Sequence, residues 1–392
     1  MKSQTAVRYA AVAVALGVAA SPIAAGAQQS AGDLGRSAIA ESSQSSWPTV
    51  GSVDTLLSSI DLLGSAALPA PPGDGSSSSS ASSSPIGTIG ESPITESRIV
   101  SVENDRLPRV ERWTVASPAM GRNVEVQILR PGQSTEPTPM LYLLDGVDAP
   151  RDSGWLHEAH VDERFADENV TLVMPTGAYA SMYADWYADD PVLGRNQWET
   201  FLVEELPRLL EDPASGLNFN GKRAIGGLSM GASGAVAIAN ANPGVFDGAI
   251  GISGCYSTTS VAGRIMVSSI VENAGASIYN LYGPPGAPNW ERYNVVHDPS
   301  GLADAAVYLS AAEGAVTPEE LVYFGDRTSS GLANGIVLEW GALSCTVDLD
   351  NAMRARGMSH QKVDILPDGV HNWPNFSSAI MPAWEHIRPA LH

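Results

Sequence analysis

Beyond about residue 99, apolar positions follow two different rhythms. Val110 to Val115 and Val124 to Leu129 alternate apolar and polar side chains, the pattern of antiparallel strands with one covered face. Met140-Leu141-Tyr142-Leu143-Leu144 and Val170-Thr171-Leu172-Val173-Met174 are short apolar runs, as in strands buried on both faces. Further strands are expected at Lys222 to Gly226, Val245 to Ile252, Ala306 to Ser310 and Val363 to Leu366. Helical stretches are expected around Trp155 to Asp167, Trp198 to Leu210, Ile336 to Arg356 and Ser377 to Leu391, with a mixed helical and loop region reaching Pro299.

The chain before this region has a different texture. Gln28 to Arg98 is biased toward Ser, Gly, Ala and Pro, a composition that buries too little apolar area to offset the entropy of ordering, and it predicts a flexible tether. Within it, Val53 to Leu63 has helical spacing, as for a transient helix or a partner contact. Met1 to Ala27 has the layout of a secretory signal: Lys2 and Arg8, an apolar stretch from Tyr9 to Ala20, then Ala25-Gly26-Ala27. The apolar stretch is too short to span ~30 Å of hydrocarbon, and nothing later is long enough, so the mature chain is expected to be exported without a transmembrane segment.

The stretch around which the rest is arranged is Gly227-Leu228-Ser229-Met230-Gly231, preceded by a strand-like run and followed by small residues of helical composition. Gly-x-Ser-x-Gly alone is weak in a chain with 38 glycines. Between a strand and a helix it predicts a nucleophile elbow, in which a side chain two residues either side of the serine would strike backbone. Alternating strands and helices after an opening hairpin, with this elbow, predict an α/β-hydrolase fold: a mostly parallel central sheet with helices on both faces.

Charge and cysteine content narrow the function. The formal net charge is −21 with no basic block, which disfavours nucleic acid as a partner. Cys255 and Cys345 are too few for a cysteine metal cage, and in an oxidising compartment they are expected either to bridge or to stay as buried thiols. His157 and His160 lack the zincin spacing, because Val161 stands where that pattern has histidine; neither a metal nor another cofactor is expected.

A serine needs a base, and the base an orienting acid, in the order Ser, acid, His. Of the seven histidines only His371 follows the last strand through Pro367-Asp368-Gly369-Val370, on the same edge as Ser229. Glu313, Asp326 and Glu339, the last expected near a helix start, remain open as the acid on spacing alone. The oxyanion hole is expected from the amides of Met230, directly after the serine, and Val147, in the loop after Asp145-Gly146.

Several longer motifs carry a family resemblance. Tyr142-Leu143-Leu144-Asp145-Gly146, Ser181-Met182-Tyr183-Ala184-Asp185-Trp186-Tyr187, Trp198-Glu199-Thr200-Phe201-Leu202, Tyr282-Gly283-Pro284-Pro285 with Trp290-Glu291-Arg292, and His371-Asn372-Trp373 resemble the mycolyltransferases of the antigen 85 family, most nearly the corynebacterial ones. The likeness runs from about Val110 to the C-terminus.

The resemblance implies an exported monomeric serine acyltransferase of the cell envelope. It would move a mycolyl chain from trehalose monomycolate to a second trehalose monomycolate or to cell-wall arabinogalactan. It implies Ser229 as nucleophile, His371 as base and Glu339, rather than Glu313, as acid, and it implies trehalose contacts for Asp145 and Trp373. It also strengthens a Cys255–Cys345 disulfide. One position departs: the family's sugar-holding Arg is replaced by Asp148, and Arg151 is the candidate to reach the same place.

Overall fold

A computed structural model describes residues 93–132, 136–325 and 328–392, with the side chains of 328–329 left aside. The expected signal at Met1 to Ala27, nearly all of the expected tether with its Val53 to Leu63 segment, and Asp326 lie outside the described residues.

Nine strands form one sheet: β1 (Arg98–Asn104), β2 (Val110–Ser117), β3 (Arg122–Leu129), β4 (Thr138–Leu144), β5 (Thr171–Pro175), β6 (Phe219–Leu228), β7 (Gly248–Ile252), β8 (Ala306–Ala312) and β9 (Lys362–Leu366). Their spatial order is β1-β2-β3-β5-β4-β6-β7-β8-β9. The first three strands and the β3–β5 pair run antiparallel; every pair from β5–β4 to β8–β9 is parallel.

The central strands show why continuous apolar runs belong here. On β4, Met140, Tyr142 and Leu144 enter one core cluster while Leu141 and Leu143 enter a second, so both faces of the strand are buried. Helix α5 (Met230–Ala241) packs within the first cluster and α11 (Trp373–Ile387) within the second. No helix among the described residues is long and apolar enough to cross a membrane.

The structure differs from the sequence expectation in three places. Strand β1 adds an antiparallel edge just where the tether was expected to end, pairing Arg98 with Ala116. The helix expected at Trp155 to Asp167 is two single turns, α1 (Gly154–His157) and α2 (Val161–Arg164), because His160 between them takes a left-handed conformation with φ 49°. The helix expected from Ile336 begins at Thr328, so α10 (Thr328–Ala355) carries Glu339 well inside it. The stretch from Trp198 to Leu210 is helical as expected, with a π-helical turn at Phe201–Glu205 between α3 (Trp198–Thr200) and α4 (Leu206–Leu210). The mixed region holds α6 (Val261–Val271), α7 (Ile278–Tyr282) and α8 (Pro288–Arg292), and a further helix, α9 (Pro318–Phe324), precedes α10.

Candidate active site

Strand β6 ends at Leu228 and α5 starts at Met230, leaving Ser229 alone to make the turn, with φ 53° and ψ −121°. Such a conformation costs a non-glycine residue on the order of 1–3 kcal/mol, and persists because its surroundings hold it. The Ser229 amide donates to the carbonyl of Ile252 on β7 at 2.9 Å. The flanking glycines are sterically required: a Cβ on Gly227 would lie 2.4 Å from the Gly231 carbonyl carbon, and one on Gly231 2.4 Å from the carbonyl oxygens of both Leu144 and Asp145.

His371 approaches from the loop after β9. Its Nε2 lies 2.8 Å from Ser229 Oγ and its Nδ1 2.9 Å from Glu339 Oε2. With Nδ1 carrying the hydrogen toward the carboxylate, Nε2 is left to accept from the serine hydroxyl. Glu339 is fully buried, and its other oxygen accepts from Ser253 Oγ and from the Ala312 amide, each at 2.7 Å. The structure therefore brings Ser229, His371 and Glu339 into one hydrogen-bonded line. Glu313 is exposed at the end of β8; its amide donates to Leu366 and its carbonyl accepts from Trp340 Nε1.

Ser253 was not foreseen. It follows β7 in a left-handed conformation, φ 52°, that aims its hydroxyl at Glu339. The sequence signal, Ser253-Gly254 just past an apolar run, is too common to single out.

The loop after β4 lies against Ser229: a Cβ on Gly146 would come within 3.7 Å of Ser229 Cβ. Ala180 donates to the Val147 carbonyl and Ala149 to that of Gly146, which fixes the loop around the Val147 amide. Met230, as first residue of α5, has an amide with no acceptor inside its helix.

Asp145 sits beneath this loop with its carboxylate out of solvent. One oxygen accepts from Ser153 Oγ at 2.7 Å and the other from the Gly154 amide at 3.1 Å. Burial pushes its carboxyl up to about 7, and the hydrogen bonds from Ser153 and Gly154 oppose that rise. Trp373 lies directly over Gly154, where a Cβ would meet its ring at 2.1 Å, so Asp145, Gly154 and Trp373 are stacked contiguously. Arg151 points elsewhere: its exposed guanidinium is paired with Glu125 on β3, Nε to Oε2 at 2.7 Å and Nη2 to Oε1 at 3.0 Å.

The longer motifs lock onto one another. Glu199, buried, accepts from both Arg292 and the Tyr293 hydroxyl, the latter at 2.6 Å, and from Asn242 Nδ2 at 2.7 Å. Thr200 donates through its hydroxyl and its amide to Asp185. These bonds tie the Ser181–Tyr187 loop, α3 and α8 together beside α5. Cys255 and Cys345 form a disulfide that joins the loop after β7 to α10, close to the Ser253–Glu339 hydrogen bond.

A hydroxyl next to an imidazole that is in turn held by a buried carboxylate, at the mouth of a helix, is suited to nucleophilic attack on an ester carbonyl. Comparison with known proteins agrees with that chemistry. The family model described as putative esterase matches residues 117–387. The diacylglycerol acyltransferase/mycolyltransferase Ag85A of Mycobacterium tuberculosis is 31% identical over 296 residues, 72% of this chain and 81% of that protein. Ag85C of Mycobacterium leprae is 27% identical over 314 residues, 78% and 88% of the two chains. Among solved structures, Mycobacterium tuberculosis MPT51 superposes with a TM-score of 0.59 at 23% identity, covering 74% of this chain and 99% of that one. An S-formylglutathione hydrolase from Agrobacterium tumefaciens, at 15% identity and a TM-score of 0.50 over 74% and 99% of the two chains, shares the fold alone. The chain belongs to the putative esterase family and, within it, to the antigen 85 mycolyltransferases.

Proposed function

We propose that this chain is an exported serine acyltransferase that carries a mycolyl group on Ser229 between trehalose monomycolate and a second sugar hydroxyl, of trehalose monomycolate or of arabinogalactan. The observation that carries the reading is the 2.8 Å approach of His371 Nε2 to Ser229 Oγ, with Nδ1 2.9 Å from Glu339. Residues 99–392 are the catalytic domain, with residues 1–27 a signal and 28–98 a tether.

In the first half-reaction Ser229 Oγ attacks the donor ester and its proton passes to His371 Nε2. Glu339 holds Nδ1–H and balances the imidazolium charge. The amides of Val147 and Met230 receive the developing oxyanion. The tetrahedral intermediate collapses, trehalose leaves with the proton from His371, and the acyl group stays on Ser229. An acceptor hydroxyl then gives its proton to His371 and attacks the acyl carbonyl; the intermediate collapses and Ser229 Oγ leaves with that proton from His371 Nε2. Asp145 and Trp373 border the sugar site. Arg151 would have to leave Glu125 to take part.

The acyl group is shielded from water by the segment from Val261 to Pro288. Val267 and Tyr282 of that segment, with Ser233, Cys255 and Tyr293 among others, line a cavity of about 20 Å³, room for one water.

The match to the putative esterase family favours one alternative, a carboxylesterase with water as acceptor. Trehalose monomycolate given to the wild type and to Ser229→Ala separates the readings. Diester from the wild type alone supports transfer, and free acid alone supports the esterase. No product from either protein leaves a binding protein on the same fold.

A further inference from the structure

We propose that Glu320 is a positioning residue for His371, acting through the backbone of Val370; the inference rests on the reading of His371 as the base. The loop that delivers the imidazole is gripped by consecutive amides. Gly369 donates to the Ala315 carbonyl at 2.7 Å, Val370 to Glu320 Oε1 at 2.6 Å, and His371 to the Gly335 carbonyl at 3.0 Å. Two of these acceptors are backbone, present whatever the side chain. The Val370 acceptor alone depends on residue type.

Glu320 is buried, and its second oxygen accepts from the Thr317 amide at 2.7 Å while its own amide donates to Thr317 Oγ1, a capping box at the start of α9. One carboxylate thus fastens the helix start and the residue before His371 to the same point. A capping box needs only one oxygen of the glutamate, and here the other is given to the histidine loop.

The rest of α9 makes this fastening count for more. Val322 is 82% exposed and Leu321 is exposed too, so the helix brings little apolar area to the core. Inward contact is made by Phe324, whose ring lies where a Cβ on Gly331 would meet it at 2.6 Å. Val370 in turn packs on Gly335 of α10, four residues before Glu339. Releasing the Val370 amide would let the loop shift against α10, and with it the imidazole against both Glu339 and Ser229. A misplacement of about 1 Å in a reacting group costs on the order of 100-fold in rate.

The test is steady-state hydrolysis of a short p-nitrophenyl ester by the full-length protein and its Ser229→Ala, Glu320→Ala, Glu320→Gln and Thr317→Ala variants, with thermal unfolding of each. Turnover surviving in Ser229→Ala would overturn the serine reading and this inference with it. With Ser229→Ala silent, Glu320→Ala is expected to lower kcat by about 10- to 100-fold with KM within about two-fold. Glu320→Gln, which keeps one acceptor for Val370, should recover most of the loss. Thr317→Ala weakens the same helix cap but leaves the Val370 bond, and should keep kcat within about two-fold of wild type. If Glu320→Ala fails to fold, Glu320→Asp, whose carboxylate is one methylene short, takes its place with the same expected loss. Wild-type kcat in folded Glu320→Ala or Glu320→Asp, or an equal kcat loss in Thr317→Ala, would overturn the inference.

Discussion

The Ser253 hydroxyl donates to Glu339 at 2.7 Å, on the carboxylate oxygen that His371 does not use. Together with the Ala312 amide it fixes the plane of the carboxylate, so the oxygen facing His371 is held in place. A buried carboxylate deprived of one donor is both less well solvated and freer to rotate. Ser253→Ala should lower kcat for ester hydrolysis by about 10-fold, equivalent to about 1.4 kcal/mol, with little change in KM. An unchanged kcat would show that the Ala312 amide suffices.

Gly231 and Gly177 offer an internal comparison of what a methyl group does. At Gly231 a Cβ would penetrate the backbone of Leu144 and Asp145, whereas at Gly177, with φ 71°, nothing lies within 4 Å. Gly231→Ala should cost at least ~3 kcal/mol or abolish folding, because the elbow and β4 cannot both stay in place. Gly177→Ala should cost only the ~1–2 kcal/mol of a left-handed alanine. Urea unfolding of the two variants measures the difference.

The parallel core was legible because strands covered on both faces must be apolar without interruption, as Met140 to Leu144 are. Ser229 stood out because its glycine neighbours answer a steric demand that only this turn imposes. Which carboxylate meets His371 was not legible from spacing. Glu313 and Glu339 follow the same strand, and what separates them is that α10 turns Glu339 inward under Ser253 while Glu313 ends in solvent. Helix α9 has a readable start in Thr317-Pro318-Glu319-Glu320, but its apolar residues Leu321 and Val322 face outward, so no inward stripe announces it. The break at His160 and the turn of Ser253 depend on single left-handed residues other than glycine, which local sequence does not mark.

The disulfide joins residues 90 positions apart, and Cys345 lies under two turns beyond Glu339 on α10. In the chain-entropy picture, closing a loop of that length stabilises the fold by about 4–5 kcal/mol. Reduction, or the Cys255→Ser/Cys345→Ser pair, should therefore lower unfolding stability by about 2–5 kcal/mol in urea. Because α10 carries Glu339, kcat should fall in the reduced protein below its unfolding midpoint, while KM for a short ester stays close to that of the oxidised form.

Asp145 links the site to pH through its burial. Its carboxyl is raised to about 7 in the folded protein, against about 3.9 for an exposed aspartate. The folded state therefore holds a proton that the unfolded chain has lost between about pH 4 and pH 7. Stability contributed at this position declines as pH rises through that window and levels off above about 7, by up to on the order of 4 kcal/mol. Asparagine can accept from the Gly154 amide and donate to Ser153 Oγ, preserving both contacts without a charge. Asp145→Asn should match the wild type near pH 4 and exceed it increasingly up to about pH 7, a widening gap that urea unfolding across the range would record. A constant difference between pH 4 and 7 would mean that Asp145 stays ionised throughout, and that its hydrogen bonds outweigh the cost of taking it out of water.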